Sequence, residues 1–266
     1  MDHMHVHGSA LPLWPQLLLA LPFVLLIAGY GLCLYFSARK GRTWPVWRTL
    51  FWFAGCVFAL AAVAGPLAVE AHHDFYVHMI THLLLGMLGP LLMVLAAPVT
   101  LLLRALPVTA ARKVSGILKW RIVHLLTDPF VASILNMGAL WVLYTTPLYS
   151  GMHESNALHV LIHAHVFIAG YVFTASMISK DPMPHRPSYL YRSVALVLAL
   201  ASHGILSKYL YANPPAGVPA HQAEAGGMLM FYGGDLVDAV IVFLLLRQWY
   251  HAARPKPHKT PQPVTG

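Results

Sequence analysis

Residues 75–103 read FYVHMITHLLLGMLGPLLMVLAAPVTLLL, a run of 29 residues without a single Asp, Glu, Lys or Arg. About 20 mainly apolar residues in an α-helix are enough to cross the hydrocarbon core of a bilayer. The run therefore predicts a transmembrane helix. It also contains His78 and His82, which a helical spacing of four residues puts on one face.

The rest of the chain has the same character. Of the 266 residues 58% are hydrophobic and 10% are charged, and the mean hydropathy is +0.63. Long apolar windows broken by Pro, Gly and charge predict an all-α, polytopic membrane protein with a bundle of seven transmembrane helices. The predicted spans are Leu11–Phe36, Val46–Val69, Phe75–Leu103, Phe130–Leu148, Ala157–Ile178, Tyr189–Tyr211 and Gly227–Tyr250.

The positions of the cations predict the orientation of the bundle, because short cytoplasmic loops are rich in Lys and Arg. With the N-terminus outside and the C-terminus in the cytoplasm, 16 of the 17 cations fall on the inner side, and Lys208 alone falls outside. They are spread over four short segments, which argues against a nucleic-acid partner. The inner cations are Arg39, Lys40, Arg42, Arg48, Arg104, Arg112, Lys113, Lys119, Arg121, Lys180, Arg186, Arg192, Arg247, Arg254, Lys256 and Lys259.

We expect three parts along the chain: an external His/Met-rich segment at residues 1–10, the membrane domain at 11–253, and a disordered basic cytoplasmic tail at 254–266. The two cysteines, Cys33 and Cys56, have no metal-ligand spacing and are interpreted as small apolar core residues.

Histidines recur at comparable depths in three of the predicted spans. His159 and His163 repeat the four-residue spacing of His78 and His82 at the start of the fifth span, and His203 lies about 12 Å below the outer surface in the sixth. An imidazole in hydrocarbon usually faces the interior of a bundle and has a functional reason to be there. We therefore predict that some subset of these five histidines binds a metal or a haem, and we interpret His165 as a packing or hydrogen-bonding histidine.

The seventh span contributes two carboxylates, Asp235 and Asp238, three residues apart. A buried carboxylate needs a cation, a metal or a proton. The pair could orient metal-bound imidazoles, could pair with Lys208 or a protonated His203, or could only hold helices together.

More candidate ligands are predicted to surround the outer mouth of this site. Imidazole alone suits copper, zinc, iron or nickel, but exposed methionines near histidines favour copper. The candidate ligands at the mouth are the His and Met residues of MDHMHVH at 1–7, and also His72, His73, Asp74, Met152, His153, Glu154, His221, Met228 and Met230.

Three segments resemble the CtaG family of cytochrome c oxidase assembly factors of Gram-positive and related bacteria. The first runs from His78 (HMITHLLLGMLGPLL) to Ala97 and Pro98, and the second is HVLIH at 159–163 with Phe167 and Gly170. The third is HQAEAGGMLMF at 221–231, leading into the last span. Together they cover the whole membrane domain in order.

The resemblance implies a seven-helix protein of the bacterial plasma membrane that supplies copper to the CuB centre of a caa-type haem-copper oxidase. Its partners would be the oxidase subunit that carries CuB, the lipid bilayer and an external copper donor. We expect no catalytic turnover, so the protein would not be an enzyme. The predicted copper ligands are His78, His82, His159, His163, His203, Asp235 and Asp238.

Three other functions fit parts of the same pattern. A membrane di-iron oxygenase also uses HxxxH pairs, although it normally needs more histidines and has them on the cytoplasmic side. A b-type haem electron carrier could use one histidine from the third span and one from the fifth as axial ligands. A proton-coupled transporter could use Asp235, Asp238 and His203.

Overall fold

The computed structural model describes residues 13–178, 180–184 and 186–254, and over these ranges the chain forms helices and no strand. The predicted N-terminal segment 1–10 and all but the first residue of the predicted tail 254–266 lie outside the described residues. The helices are α1 (Leu13–Arg39), α2 (Val46–Val63), α3 (Pro66–Glu70), α4 (Phe75–Leu95), α5 (Pro98–Ala105), α6 (Val108–Ile117), α7 (Arg121–Leu126), α8 (Pro129–Thr145), α9 (Leu148–Glu154), α10 (Asn156–Ile178), α11 (Tyr189–Ala212) and α12 (Ala220–Ala253).

Six of these helices are long and apolar enough to cross a membrane: α1, α2, α4, α10, α11 and α12. The predicted fourth span corresponds to α8 and α9, which meet at a bend of 78°. The all-α membrane fold is thus confirmed with six candidate spans. A crossing by the α8–α9 pair, which would bring the number to seven, and the orientation of the termini stay predictions.

The bundle has two chemically different ends. At one end Lys40 donates from Nζ to the carbonyl oxygens of Ala105 and Leu106, at 2.6 and 2.9 Å, and Arg192 donates to Met177 O at 2.7 Å. We call this the cationic end. At the other end Gly65 N donates to Gln16 Oε1 at 3.2 Å and Phe75 N to Gln222 Oε1 at 3.0 Å, and we call it the histidine end.

Several predicted span boundaries are wrong because the backbone turns where the sequence still looks apolar. α2 ends at Val63 and not at Val69, because the chain then turns through Gly65, whose φ is +86°. α4 ends at Leu95 and not at Leu103, because Ala97 has φ 53° and Pro98 begins a new helix there.

The predicted fourth and seventh spans differ as well. α8 stops at Thr145 instead of Leu148, because the chain bends at Pro147 into α9. α12 begins at Ala220, seven residues earlier than predicted, so the connection between the sixth and seventh predicted spans is shorter than their bounds imply.

Close backbone contacts hold α4 between α2 and α10. A Cβ added to Gly55 of α2 would lie 2.8 Å from the carbonyl oxygen of Gly89, and a Cβ on Gly170 of α10 would collide with the carbonyl oxygen of Gly86. Only glycine allows helices to approach so closely. The two glycines of α4 that make these contacts are Gly86, within the π-helical turn Leu84–Leu88, and Gly89, directly after it.

Both cysteines pack in an apolar cluster near the cationic side of α1 and α2. Cys56 is fully buried with Tyr30, Trp52 and Met93, and Cys33 is partly buried against the same cluster. The predicted role as a small core residue is confirmed for Cys56, whereas Cys33 lies at the edge of the cluster.

Candidate functional site

α4 directs the first histidine pair into the protein. Asp74 caps this helix by accepting a hydrogen bond from Val77 N at 3.0 Å, which fixes where the helix begins. His78 and His82 then lie one turn apart, and each has only 6% of its surface exposed. The predicted shared face of this pair is therefore the buried face.

α10 contributes the second pair with its rings almost in contact. The ring centroids of His159 and His163 are 4.0 Å apart. His163 Nδ1 lies 2.9 Å from His159 O, and a carbonyl oxygen can only accept, so Nδ1 must carry the proton. The Nε2 lone pair of His163 is consequently available to a ligand.

The two pairs meet at one small internal cavity between α4, α8, α9 and α10. Its lining includes His78, His82 and His163 together with Tyr144 and Met152. The volume of this cavity is about 20 Å³, which is enough for roughly one water molecule or ion. The structure thus brings together three of the four histidines in the predicted pairs, and His159 stands directly behind His163.

His203 reaches the same region from α11. Its ring stacks on His82 with centroids 6.3 Å apart and planes inclined by 24°. The ring fits there because residue 234 is glycine, since a Cβ at Gly234 would collide with the His203 ring.

The two aspartates of α12 differ in their surroundings. Asp238 is 4% exposed and lines a second small cavity with His203, Asn136 and Thr174. Asp235 is exposed on the surface of the bundle. Asp238 is therefore the buried carboxylate that shares a cavity with His203, although it accepts no hydrogen bond from His203 Nε2. Lys208, the suggested ionic partner, instead has its Nζ 5.0 Å from the Phe231 ring centroid.

The second cavity is also where the two π-helical turns of the described chain meet. Gly86 and Met87 come from the π turn of α4, and Asn136 and Met137 come from the π turn Ile134–Gly138 of α8. Such turns occur often at functional sites. His165 is hydrogen-bonded to this second turn, donating from Nε2 to Leu135 O at 3.1 Å, which confirms its predicted hydrogen-bonding role.

Among the described residues, four buried imidazole nitrogens have no hydrogen-bond partner: His72 Nε2, His82 Nε2, His159 Nδ1 and His203 Nε2. Most buried polar atoms in proteins are paired, and an unpaired one costs about 1–3 kcal/mol. A bound cation would remove this cost. Within the described ranges, however, no three His, Cys, Asp or Glu side chains stand close enough together to hold a metal ion as they are.

A larger cavity of about 310 Å³ opens at the histidine end, and we call it the mouth cavity. Its polar lining is His72, His73, Asp74, His153 and Glu154 with Tyr149, Ser150 and Gln222. Most of the residues of α9 and of the turn before α4 that were predicted to surround the mouth therefore line this cavity. Met152 instead faces the internal cavity, Met230 is fully buried, and His221 and Met228 are exposed beside the mouth cavity without lining it.

His72 connects the mouth cavity to the second histidine pair. Its ring stacks on His159 at 4.9 Å and meets the edge of His153 at 5.2 Å. Burial, with smaller contributions from His153, His163 and His73, lowers the pKa of His72 to about 4. The ring is therefore neutral at pH 7 and can act as a ligand.

Tyrosines separate the mouth cavity from His78. Tyr149 lies between His153 and His78, at 4.8 and 5.2 Å between ring centroids, and the Tyr144 hydroxyl is 3.1 Å from His78 Nε2. These two tyrosines were not predicted, because nothing in their spacing along the sequence ties them to the histidines. Asn136 could have been noticed as a lone amide in an apolar run.

Comparison with known proteins gives one family and several relatives. The family described as cytochrome c oxidase caa3 assembly factor (Caa3_CtaG) matches residues 28–252. Uncharacterized proteins of Mycobacterium tuberculosis and Mycobacterium bovis are each 31% identical over 249 residues, covering 85% of this chain and 37% of their own length. One from Mycobacterium leprae is 29% identical over 233 residues, covering 79% of this chain and 35% of its own. The chain thus spans about a third of the length of these relatives, and no solved structure matches it.

Proposed function

Since the chain belongs to the cytochrome c oxidase caa3 assembly factor family, we propose that it binds copper on its buried histidines and delivers it to the CuB centre of a haem-copper oxidase. Copper is the cargo in this proposal, and the protein holds and releases it without catalytic turnover. The recipient would be the oxidase subunit that carries CuB.

The unpartnered imidazole nitrogens are the observation that supports this proposal most directly. His82 Nε2 and His203 Nε2 belong to stacked rings from two helices, and His159 Nδ1 and His72 Nε2 belong to another stacked pair. A buried nitrogen without a hydrogen-bond partner lowers the stability of the fold. A protein that binds a cation nevertheless needs such nitrogens, because they are its ligands. Because the rings are grouped in pairs, binding would draw them together by side-chain rotation.

Sulfur beside the histidines favours copper over other metals. Met152 is fully buried on the internal cavity that His163 lines, and Met79 Sδ lies 4.0 Å from the Tyr144 hydroxyl. Thioether sulfur is a soft ligand that suits Cu(I), whereas zinc and iron gain less from it.

Release to a recipient requires that no single histidine holds the ion too tightly. The rings of His159 and His163 are 4.0 Å apart, so a copper ion could exchange one nitrogen for the next, one bond forming as another breaks. No change of oxidation state is needed for such a transfer.

The internal cavity argues against the haem alternative. It has room for about one water molecule between the histidines of α4 and α10. A haem between axial histidines needs space for the whole macrocycle. An absorption spectrum of the purified protein tests this alternative, because a haem protein has a Soret band.

We further propose that the bundle crosses the bacterial plasma membrane seven times, with α8 and α9 together as the fourth crossing and the histidine end outside. The cation distribution supports this orientation. An external copper donor would then meet the mouth cavity directly.

Copper loading of the purified protein tests the proposed function. The protein in detergent is mixed with Cu(I) under anaerobic conditions, excess metal is removed, and the copper per chain is measured by mass spectrometry. We expect retained copper and no Soret band. A protein that retains no copper after loading would overturn the proposal.

A further inference from the structure

The mouth cavity contains metal-binding groups that are distinct from the buried histidines of the proposed cargo site. We propose that His73 and His153, with His72 as the link they share with the buried cargo site, form a copper uptake site in this cavity, which the ion occupies before it reaches the internal cavity. This inference rests on the proposed function and adds where the copper enters.

The size and openness of the cavity fit uptake and not storage. Its volume is about 310 Å³, against about 20 Å³ for the internal cavity, so a copper ion could enter while still bound to a small donor ligand. The walls come from the turn before α4, from α9 and from residues 216–219 before α12. His73 and His153 are exposed in it, so a donor could reach both.

Two of these histidines each have a ring nitrogen that is available to a ligand. His153 Nδ1 lies 2.9 Å from Tyr149 O and must donate to it, which leaves the Nε2 lone pair free. His72 Nε2 is buried without a hydrogen-bond partner. The two rings are 5.2 Å apart between centroids, close enough that modest side-chain rotation would let both bind one ion.

The charge around the cavity attracts cations. Asp74 and Glu154 border it, and only one oxygen of Asp74 is used to cap α4. Clefts lined by one sign of charge raise the local concentration of the opposite ion and increase association rates. An ion approaching this end would therefore be drawn to the three histidines.

A continuous series of ring contacts leads from this cavity to the buried cargo site. His72 stacks on His159 at 4.9 Å, His159 lies 4.0 Å from His163, and His163 lines the internal cavity. Tyr149 blocks the direct way from His153 to His78. The geometry therefore assigns His72 as the link between uptake and storage.

Stopped-flow loading tests this inference on the full chain in detergent. Cu(I) is presented as its bicinchoninate complex, and the loss of the coloured complex gives the rate of uptake. We expect the double variant His73→Gln/His153→Gln to load about tenfold more slowly than the parent, and Glu154→Gln to load more slowly with a weaker dependence on salt. His221→Gln is the matched control, because His221 is exposed at the same end but does not line the cavity.

The outcomes separate this inference from the proposed function. If the parent takes up no copper, the proposed function fails and the uptake site fails with it. If the parent takes up copper and the double variant loads at the same rate, only the uptake site is overturned. Thermal unfolding of each variant checks the fold, and Glu154→Gln provides the test if the double variant does not fold.

Discussion

The rings of His82 and His203 stack 6.3 Å apart although they belong to different helices, and neither Nε2 has a hydrogen-bond partner. Buried polar atoms are nearly always paired, so two unpaired nitrogens on neighbouring rings need an explanation, and the proposed copper ion provides one. The contact depends on the absence of a side chain at Gly234.

Substitution of Gly234 by alanine should therefore displace the His203 ring, because the new Cβ would collide with it. We expect weaker copper retention and a lower melting temperature in detergent. Gly29→Ala is the control, since no atom lies within 4 Å of a Cβ at Gly29. Equal copper retention in the parent and both variants would mean that His203 is not a ligand.

His82→Ala and His163→Ala should each weaken copper binding by more than the roughly 10–100-fold that loss of an orienting partner costs, because each removes a ligand. Affinity is measured by competition with a Cu(I) chelator. His251→Ala, exposed near the opposite end of the bundle, should bind copper like the parent. A variant that matches the parent would assign a structural role to that histidine.

Asp238→Asn should weaken copper affinity about 10–100-fold if the buried carboxylate orients an imidazole. Asp235→Asn is the natural control, because the same change is made three residues away on the exposed surface of α12. Unchanged affinity with a lower melting temperature for Asp238→Asn would show that Asp238 only holds helices together.

The stability of the copper-free protein should fall as the pH drops from about 6.5 towards 4. Burial holds the pKa of His72 near 4 in the fold, below its ordinary 6.5, so over this range the unfolded chain binds a proton that the folded chain does not. Above pH 6.5 His72 is neutral in both states and has no such effect. The melting temperature of the parent minus that of His72→Gln should shrink across this window, and a constant difference would contradict the assignment.

The orientation can be tested with fused reporters. Those after Asp74, Glu154 and Pro215 should be external, and those after Arg42, Lys113, Arg186 and Arg254 should be cytoplasmic. The reporter after Glu154 is the most informative, because it follows the bent α8–α9 pair. A cytoplasmic reporter at that position would mean that α8 and α9 do not cross the membrane and that the bundle has six crossings.

The sequence predicted the helical fold and the histidine pairs because both depend on local rules. Apolar length indicates a span, and a spacing of four residues puts His78 beside His82 on one face. The rest of the site depends on tertiary packing. His72 and His153 meet only because α9 turns back after α8, and no periodicity encodes that bend.

The same limit applies to backbone geometry. Ala97 adopts a left-handed conformation that an L-residue with a side chain rarely takes, so an apolar run that looks continuous is two helices. The π turns of α4 and α8 are also absent from any simple pattern, yet they put Met87 and Asn136 beside His203.

The glycine contacts that hold α4 between α2 and α10 have a kinetic consequence. A helix whose backbone touches its neighbours on two sides cannot slide or turn without breaking both contacts. Movement of His78 and His82, which are buried, would then come from rotation of their side chains, whereas the shift of a whole helix takes microseconds to milliseconds. In the proposed function, the ion would therefore pass by rotation of the rings and exchange of ligands and not by rearrangement of the helices.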